Sequence, residues 1–394
     1  MVSEGSGAAR GAWTGSGRLL SIDALRAVAA LAVVAFHAST FNERHASAWN
    51  GSWIDVACLW GRYGVWLFFV ISGFCIHLRW AREYRPGHVP EIDFVAFWKR
   101  RFIRLYPPYA CAVALFLVCL AIEGKLPTLW QFGLHVALLN NLDLNPATVT
   151  SINGVFWTLA IEEQLYLAYF LLLMLRVRYG WPTALACCLA ARLLWFALAA
   201  MLHRAFHIDI VITYSPAAQW IVWALGALAV EAALGIVTLP SLLQRGWVGT
   251  AIIGIAMLTT SGYESASSGV ARNGLWFISD MLWGLGFFVW INRAAVADRS
   301  WNALHKSPAW LTPLAAGGVF SYSTYLTHGF VIEHVWEWVR PENLGGLGML
   351  MLQLIMLIAA SLLFARLFFT WCERPFMALS RHSGAALLPV PSLR

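Results

Sequence analysis

The chain has 394 residues, of which 60% are apolar and only 12% carry a charged side chain, and its net charge is +7. This composition lies far outside the range of soluble globular proteins and excludes a water-soluble domain as the main part of the chain. Apolar runs of about 20 residues, long enough to cross a bilayer, recur along the sequence. We therefore expect an all-α, polytopic membrane protein.

The two ends of the chain differ from its middle. The first 18 residues, MVSEGSGAARGAWTGSGR, are rich in Gly and Ser and predict a disordered cytoplasmic tail. The apolar run that follows lacks a cleavage motif of small residues, so a signal peptide is not indicated. We expect one membrane domain over residues 19–376 and a cytoplasmic tail over 377–394.

About ten transmembrane helices are predicted by the apolar runs. They cover residues 20–41, 59–78, 102–122, 155–175, 183–203, 217–237, 247–262, 273–292, 313–336 and 346–371. The apolar segment 129–142 is too short to span, and we place it at the outer interface.

The basic residues predict the orientation of these spans. Most of the 27 Lys and Arg residues fall in the tails and in loops on one side of the membrane, including 79–104, 176–182 and 293–312. Because cytoplasmic loops carry the excess of Lys and Arg, both termini are expected in the cytoplasm. This asymmetry explains the net positive charge without a nucleic-acid partner.

The first span carries Arg26 and, eleven residues later, His37. Eleven residues make nearly three helical turns, so both side chains share one face, roughly 16 Å apart along the axis. Ionisable groups inside a membrane helix indicate a functional site by default. The alternative is that Arg26 is an interfacial anchor paired with Asp23 and that His37 is a packing residue.

Polar residues of later spans extend this site. Counting the rise per residue places Glu162 and His328 at about the depth of His37, in the outer half of the bilayer. Arg101 and Arg104, spaced i and i+3, share the cytoplasmic level of Arg26 and could hold phosphates by bidentate hydrogen bonds. Ordinary positive-inside anchoring is the alternative for these arginines.

The sequence does not show which partners the other polar groups inside the spans have. Ser72 and Gly73, in the run GVWLFFVISGF, would let a helix or a slim ligand approach the backbone closely. The remaining intramembrane charges, which we expect to pair among themselves in part, are Arg192, Glu231, Asp280 and Glu333. The seven cysteines form no C-x-x-C pair, so no metal site is expected.

These residues suggest acyl transfer. A neutral imidazole such as that of His37 can take a proton from a hydroxyl group and return it later. Glu162 could fix the tautomer of this ring, as a carboxylate does in acyl-transfer triads. No Ser or Cys is an evident nucleophile beside His37, which favours direct attack of the acceptor hydroxyl on a thioester.

The ordered motifs resemble those of the integral-membrane acyltransferase family 3, also called the O-acetyltransferase family. The similar segments are IDALRAVAALAVVAFH, GVWLFFVISGF, RRFIRLYPPY, FWTLAIEEQLY, SYSTYLTH and ERPF, which extend over residues 19–376. The resemblance implies a multi-pass enzyme of the cytoplasmic (inner) membrane that moves an acyl group, usually acetyl, from cytoplasmic acyl-CoA to a sugar hydroxyl. The implied acceptor is a surface or lipid-linked glycan.

The resemblance also implies roles for individual residues. His37 matches the catalytic histidine and Arg26 its essential arginine, while Arg101 and Arg104 match the arginines of the donor site. Ser72, Glu162, Tyr322 and His328 match recurrent motif positions. Trp66 departs from the acidic or polar residue that the family often has after Gly-Val. Without an esterase-like domain, the chain is similar to the stand-alone members.

Three other functions remain open at this point. They are acylation of a macrolide-type metabolite, secondary transport of an anionic solute, and a scaffold without activity. If the enzyme hypothesis is right, His37 should lie with Glu162 or His328 around one cavity. Arg26, Arg101 and Arg104 should lie at its cytoplasmic end.

Overall fold

The computed structural model describes residues 19–45, 53–208, 211–265, 269–304, 307–339 and 347–382. Helices occupy most of these ranges, where no β-strand occurs and only an isolated bridge joins Arg85 to His88. The predicted all-α, polytopic membrane fold is confirmed. The predicted tail 1–18 and most of the tail 377–394 lie outside the described residues.

The α-helices of the described ranges are numbered in chain order. They are α1 Leu20–His45, α2 Trp53–Leu59, α3 Gly64–Glu83, α4 Phe94–Ile122, α5 Leu129–Val136, α6 Pro146–Val149, α7 Trp157–Phe206, α8 Pro216–Ala233, α9 Gly246–Ser265, α10 Gly269–Leu304, α11 Leu311–Val319, α12 Ser321–Val339, α13 Leu347–Phe368 and α14 Arg374–His382. A 3₁₀ turn, Trp60–Tyr63, joins α2 to α3, and a π-helical turn, Phe369–Glu373, joins α13 to α14.

Seven helical segments in the described residues are long and apolar enough to cross a membrane. One of them, α7, has 50 residues and contains two predicted spans, 155–175 and 183–203. Its helix is interrupted at Gly180, whose φ of 82° lies in the left-handed region that favours glycine. The count of ten spans and the orientation of the termini stay predictions.

Some helix boundaries differ from the predicted ones. Helix α4 begins at Phe94 rather than at 102, because the Asp93 side chain accepts a hydrogen bond from the Ala96 amide (3.0 Å) and caps the helix there. The predicted span 313–336 is two helices, α11 and α12, separated at Phe320. The domain boundary drawn at 376 falls inside α14.

Close helix contacts position the polar residues of α1 and α3. A Cβ atom on Gly73 would overlap the Trp223 carbonyl oxygen, so only glycine lets α3 and α8 approach this closely. Gly318 of α11 meets the Asp23 carbonyl of α1 in the same way. These contacts fix the backbone directly beside Ser72 and near Arg26.

The buried charges that the sequence left unassigned have specific partners. Arg192 donates from Nη2 to Asp280 (3.2 Å), and both side chains are fully buried. Glu231 accepts hydrogen bonds from Arg176 (2.7 and 2.8 Å) and from His77 (2.8 Å). A buried ion pair is tolerated only when it is hydrogen-bonded in this way.

Candidate active site

A small cavity of about 120 Å³ lies among α1, α3, α4, α7 and α12. Six predicted site residues contribute to its lining, together with six further polar residues. The predicted ones are Arg26, Ser72, Arg101, Arg104, Glu162 and Tyr322, and the others are Cys75, Thr158, Tyr166, Ser321, Tyr325 and Glu373.

Two of the arginines offer their guanidinium groups to this cavity. Within the described ranges, neither Arg101 nor Arg104 forms an ion pair or a hydrogen bond. Arg101 lies over the rings of Phe97 and Tyr166, with 5.8 and 5.6 Å between guanidinium carbon and ring centroid. Because a guanidinium group has five donors, both side chains retain the capacity to bind an anion.

The third arginine, Arg26, is already engaged. Its Nη1 atom lies 3.3 Å from Asp23, and its Nη2 atom lies 3.2 Å from the Cys75 sulfur. The Asp23 pairing of the alternative interpretation is therefore present, and the guanidinium group lines the cavity as well.

Hydroxyl groups hold the two carboxylates of the cavity. Glu162 Oε1 accepts hydrogen bonds from Ser72 (2.6 Å) and Tyr166 (2.5 Å). Glu373 Oε2 accepts from the amide (3.2 Å) and the hydroxyl (2.5 Å) of Ser323. One oxygen of each carboxylate thus accepts hydrogen bonds from neutral donors. The three arginines that line the cavity lie beside carboxylates that already have these partners.

A large cavity of about 490 Å³ adjoins the small one. The two cavities share Cys75, Ile76, Arg101 and Arg104 in their linings. The large cavity adds Arg79 and Arg100 from α3 and α4 together with three carboxylates, Glu83, Glu91 and Asp93, and Arg79 pairs with Glu83 (3.2 Å). An extended ligand that reaches into both spaces would meet the shared arginines, Arg101 and Arg104.

The structure brings His37 and His328 together. His328 Nε2 lies 3.2 Å from His37 Nδ1, and the ring centroids are 4.9 Å apart. His328 is fully buried, whereas His37 is half-buried. The two residues come from α1 and α12, as the depth estimate suggested.

Glu162 and the small cavity depart from the predicted arrangement. Neither histidine lines the cavity, and the His37 Nδ1 atom contacts His328 and Val33 rather than Glu162. Of the expected neighbours of His37, the structure places His328 beside it, whereas Glu162 and the three arginines line a small cavity that neither histidine lines.

The contacts of Tyr325 show why Glu162 lies away from the histidine pair. Its hydroxyl lies 2.6 Å from Thr158 Oγ1 and donates to the Val155 carbonyl (3.1 Å). The start of α7 therefore sits beside Tyr325, one turn before His328, and Glu162 follows a turn further along α7. Glu162 is thereby held at the small cavity rather than beside the histidine pair.

The Tyr325 side chain lies between the small cavity and His328, and Phe68 packs against it. Tyr325 and Phe68 both line the small cavity, with ring centroids 5.9 Å apart, and we call this pair the aromatic partition. The Tyr325 ring also lies 5.7 Å from the His328 ring. The partition is thus one side chain thick between the cavity and the histidine pair.

Sequence reasoning missed several lining residues, although signals for them existed. Glu373 opens the ERPF motif, Tyr325 lies inside SYSTYLTH, and Tyr166 stands one helical turn after Glu162. Tyr322, which was singled out, donates from its hydroxyl to the Leu105 carbonyl (3.0 Å) and so joins α12 to α4.

Comparison with known families gives one match over most of the chain. The family described as "Acyltransferase domain" matches residues 19–370. No solved structure matches the chain.

Individual relatives match over shorter segments. The O-acetyltransferase OatA of Staphylococcus aureus is 30% identical over 172 residues, which cover 38% of this chain and 24% of that protein. The peptidoglycan O-acetyltransferase OatA of Listeria monocytogenes is 30% identical over 174 residues, 40% of this chain and 24% of that protein. Protein 2 in picA locus of Rhizobium radiobacter is 34% identical over 114 residues, which are 28% of this chain and 51% of that protein. The matches thus span about a quarter of the length of the two OatA relatives.

Proposed function

The chain belongs to the acyltransferase domain family, and we propose that it is a membrane O-acyltransferase with cytoplasmic acyl-CoA, acetyl-CoA in the first instance, as donor. The proposed acceptor is a hydroxyl of a sugar in a surface or lipid-linked glycan, and His37 is the proposed general base. The proposed location is the inner membrane.

The arginine-lined small cavity carries this proposal. Coenzyme A has a diphosphate and a further phosphate, and guanidinium groups bind phosphates with geometric specificity. Arg101 and Arg104 present such groups at the junction of the two cavities, without a carboxylate partner among the described residues. In this arrangement the large cavity takes the nucleotide, and the small cavity takes the arm that carries the thioester.

The proposed reaction needs one base and one leaving group. His37 removes the proton of the acceptor hydroxyl while its oxygen bonds to the thioester carbonyl carbon. The tetrahedral intermediate then expels the coenzyme thiolate as the carbon–sulfur bond breaks, and the proton from His37 goes to that sulfur. Because the aromatic partition separates the small cavity from His37, the Tyr325 or Phe68 ring must move aside for the donor arm.

The relatives support a carbohydrate acceptor. The Listeria relative is described as a peptidoglycan O-acetyltransferase, and peptidoglycan carries sugar hydroxyls. A macrolide-type metabolite is the alternative acceptor, and export of an anion is the alternative activity. A glycan acceptor, a metabolite acceptor and anion export differ in where an acetyl label ends, so one labelling experiment distinguishes the three.

The test uses inside-out membrane vesicles from a deletion strain that expresses the protein. Vesicles receive acetyl-CoA labelled in the acetyl group, and the label in envelope material that mild alkali releases as acetate is followed over time. We expect wild type to transfer label. The His37→Ala variant should lose transfer by about 100-fold or more, the usual contribution of a general base.

The matched control is Thr40→Ala on the same helix, since the Thr40 hydroxyl donates to the Phe36 carbonyl of its own helix (2.8 Å). It should transfer at the wild-type rate. If the label appears in a small extractable metabolite, that metabolite and not a glycan is the acceptor. If no ester forms and the vesicles move an anionic solute without acetyl-CoA, the protein is a transporter and the enzyme hypothesis is wrong. Full transfer by His37→Ala at equal membrane level would remove His37 as the base.

A further inference from the structure

The hydrogen-bond partners of His328 fix which of its nitrogens carries the proton. Its Nδ1 atom lies 2.8 Å from the Tyr325 carbonyl oxygen and 3.1 Å from that of Thr324. Carbonyl oxygens only accept hydrogen bonds, so Nδ1 must be the N–H donor. In the neutral ring, Nε2 is then left with a lone pair and acts as an acceptor.

The same reasoning then applies to His37. Its Nδ1 atom lies 2.9 Å from the Val33 carbonyl oxygen and 3.2 Å from His328 Nε2. Both neighbours are acceptors, so His37 Nδ1 carries the hydrogen. The basic lone pair of a neutral His37 is therefore on Nε2, the nitrogen that a general base needs.

We propose that His328 is the positioning residue of the reaction and takes the part that the sequence analysis gave to Glu162. Together with the Val33 carbonyl it holds His37 in the tautomer with a basic Nε2, and its lone pair stabilises the Nδ1–H of the imidazolium that forms when Nε2 takes the proton of the acceptor hydroxyl. This inference rests on the proposed function, because it needs a proton transfer to His37.

Burial makes His328 suited to this part. The side chain is fully buried and is held at Nδ1 by the backbone of its own helix, so its ring orientation is fixed before substrate binds. Glu162 is committed elsewhere, because Ser72 and Tyr166 both donate to its Oε1 atom. The His328 imidazole is thus a side-chain acceptor for His37 Nδ1, beside the Val33 carbonyl of the same helix as His37.

The test compares two substitutions of His328 that differ in one property. His328→Leu removes the acceptor and retains an apolar side chain, whereas His328→Gln offers a carbonyl oxygen that can accept from His37 Nδ1. In the vesicle assay with labelled acetyl-CoA, we expect the Leu variant to lose about 100-fold in kcat. The Gln variant should recover at least about one tenth of the wild-type rate, because its side-chain carbonyl restores the acceptor that orients the His37 ring and stabilises its imidazolium, which the Val33 carbonyl alone does not do.

A purely structural role would give a different pattern. The KM for acetyl-CoA and the thermal midpoint of the purified protein should stay at wild-type values in both variants, since His328 lies outside the small cavity. His334→Ala is the matched control. His334 lies on the same helix with the same kind of bond, from its Nδ1 to the Phe330 carbonyl (2.8 Å). It should keep the wild-type kcat.

The outcomes separate this inference from the function on which it rests. If wild-type vesicles transfer no labelled acetyl group that alkali releases as acetate, the proposed function is wrong. Normal wild-type transfer, together with a Leu variant at full rate or a Gln variant no better than Leu, would overturn the positioning role alone.

Discussion

At the scale of single residues, the two carboxylates of the small cavity are hydrogen-bonded to neutral groups rather than to Arg101 or Arg104. The Glu162 and Glu373 carboxylates accept hydrogen bonds from Ser72, Tyr166 and Ser323. Hydrogen bonds of this kind satisfy a buried carboxylate without a cation. Arg101 and Arg104 thereby remain able to bind a phosphate group.

This arrangement predicts the effect of removing one guanidinium group. Arg104→Ala should weaken acetyl-CoA binding about 10- to 100-fold, since a hydrogen bond to a charged group contributes about 1.5–3 kcal/mol. Equilibrium binding of labelled acetyl-CoA to the purified protein measures this. Arg178→Ala, an exposed arginine outside both cavities, is the control and should bind like wild type. Equal affinity of both variants would place the phosphates away from Arg104.

Sequence reasoning found part of this site because part of it is local. The i, i+3 spacing of Arg101 and Arg104 and the eleven-residue spacing of Arg26 and His37 are properties of one helix each. The Ser323–Glu373 and Tyr325–Thr158 contacts join distant parts of the chain. Helical periodicity carries no information about such contacts, so it could not place Glu373 and Tyr325 at the cavity, although both residues lie in motifs that the sequence shows.

At the scale of elements, the breaks in helices determine where side chains meet. The apolar runs predicted where helices lie, as the segments from Leu20–Phe41 to Met351–Ser380 confirm. They did not predict that α7 begins beside Tyr325, because hydropathy cannot distinguish a helix end at the membrane surface from one buried in protein. The displaced position of Glu162 follows from that single difference.

The close contact of α3 with α8 at Gly73 allows a prediction about the stability of the fold. Gly73→Ala would press a methyl group against the Trp223 carbonyl, and overpacking of this kind costs about 1–3 kcal/mol. We expect a lower thermal midpoint in detergent and less folded protein by size-exclusion chromatography.

The matched substitution is Gly254→Ala in α9, where a Cβ atom would meet nothing within 4 Å. That variant should melt at or slightly above the wild-type temperature, because alanine is the better helix former. A Gly73→Ala protein as stable as Gly254→Ala would show that α3 and α8 do not pack closely at this point.

At the scale of the whole molecule, two adjoining cavities and the histidine pair follow one another between the helices. The large cavity leads to the small cavity through Arg101 and Arg104, and the aromatic partition separates the small cavity from the histidine pair. The proposed donor would lie along this series, with its phosphates at the arginines and its thioester at His37.

A structure with a non-reactive thioether analogue of acetyl-CoA tests this account most directly, because it measures the position of every group of the donor. We predict phosphate oxygens within hydrogen-bond distance of Arg101 or Arg104, a displaced Tyr325 or Phe68 ring, and the acyl carbon beside His37 Nε2. An analogue whose phosphates lie elsewhere, or whose acyl group stays on the arginine side of an unmoved Tyr325, would contradict the account.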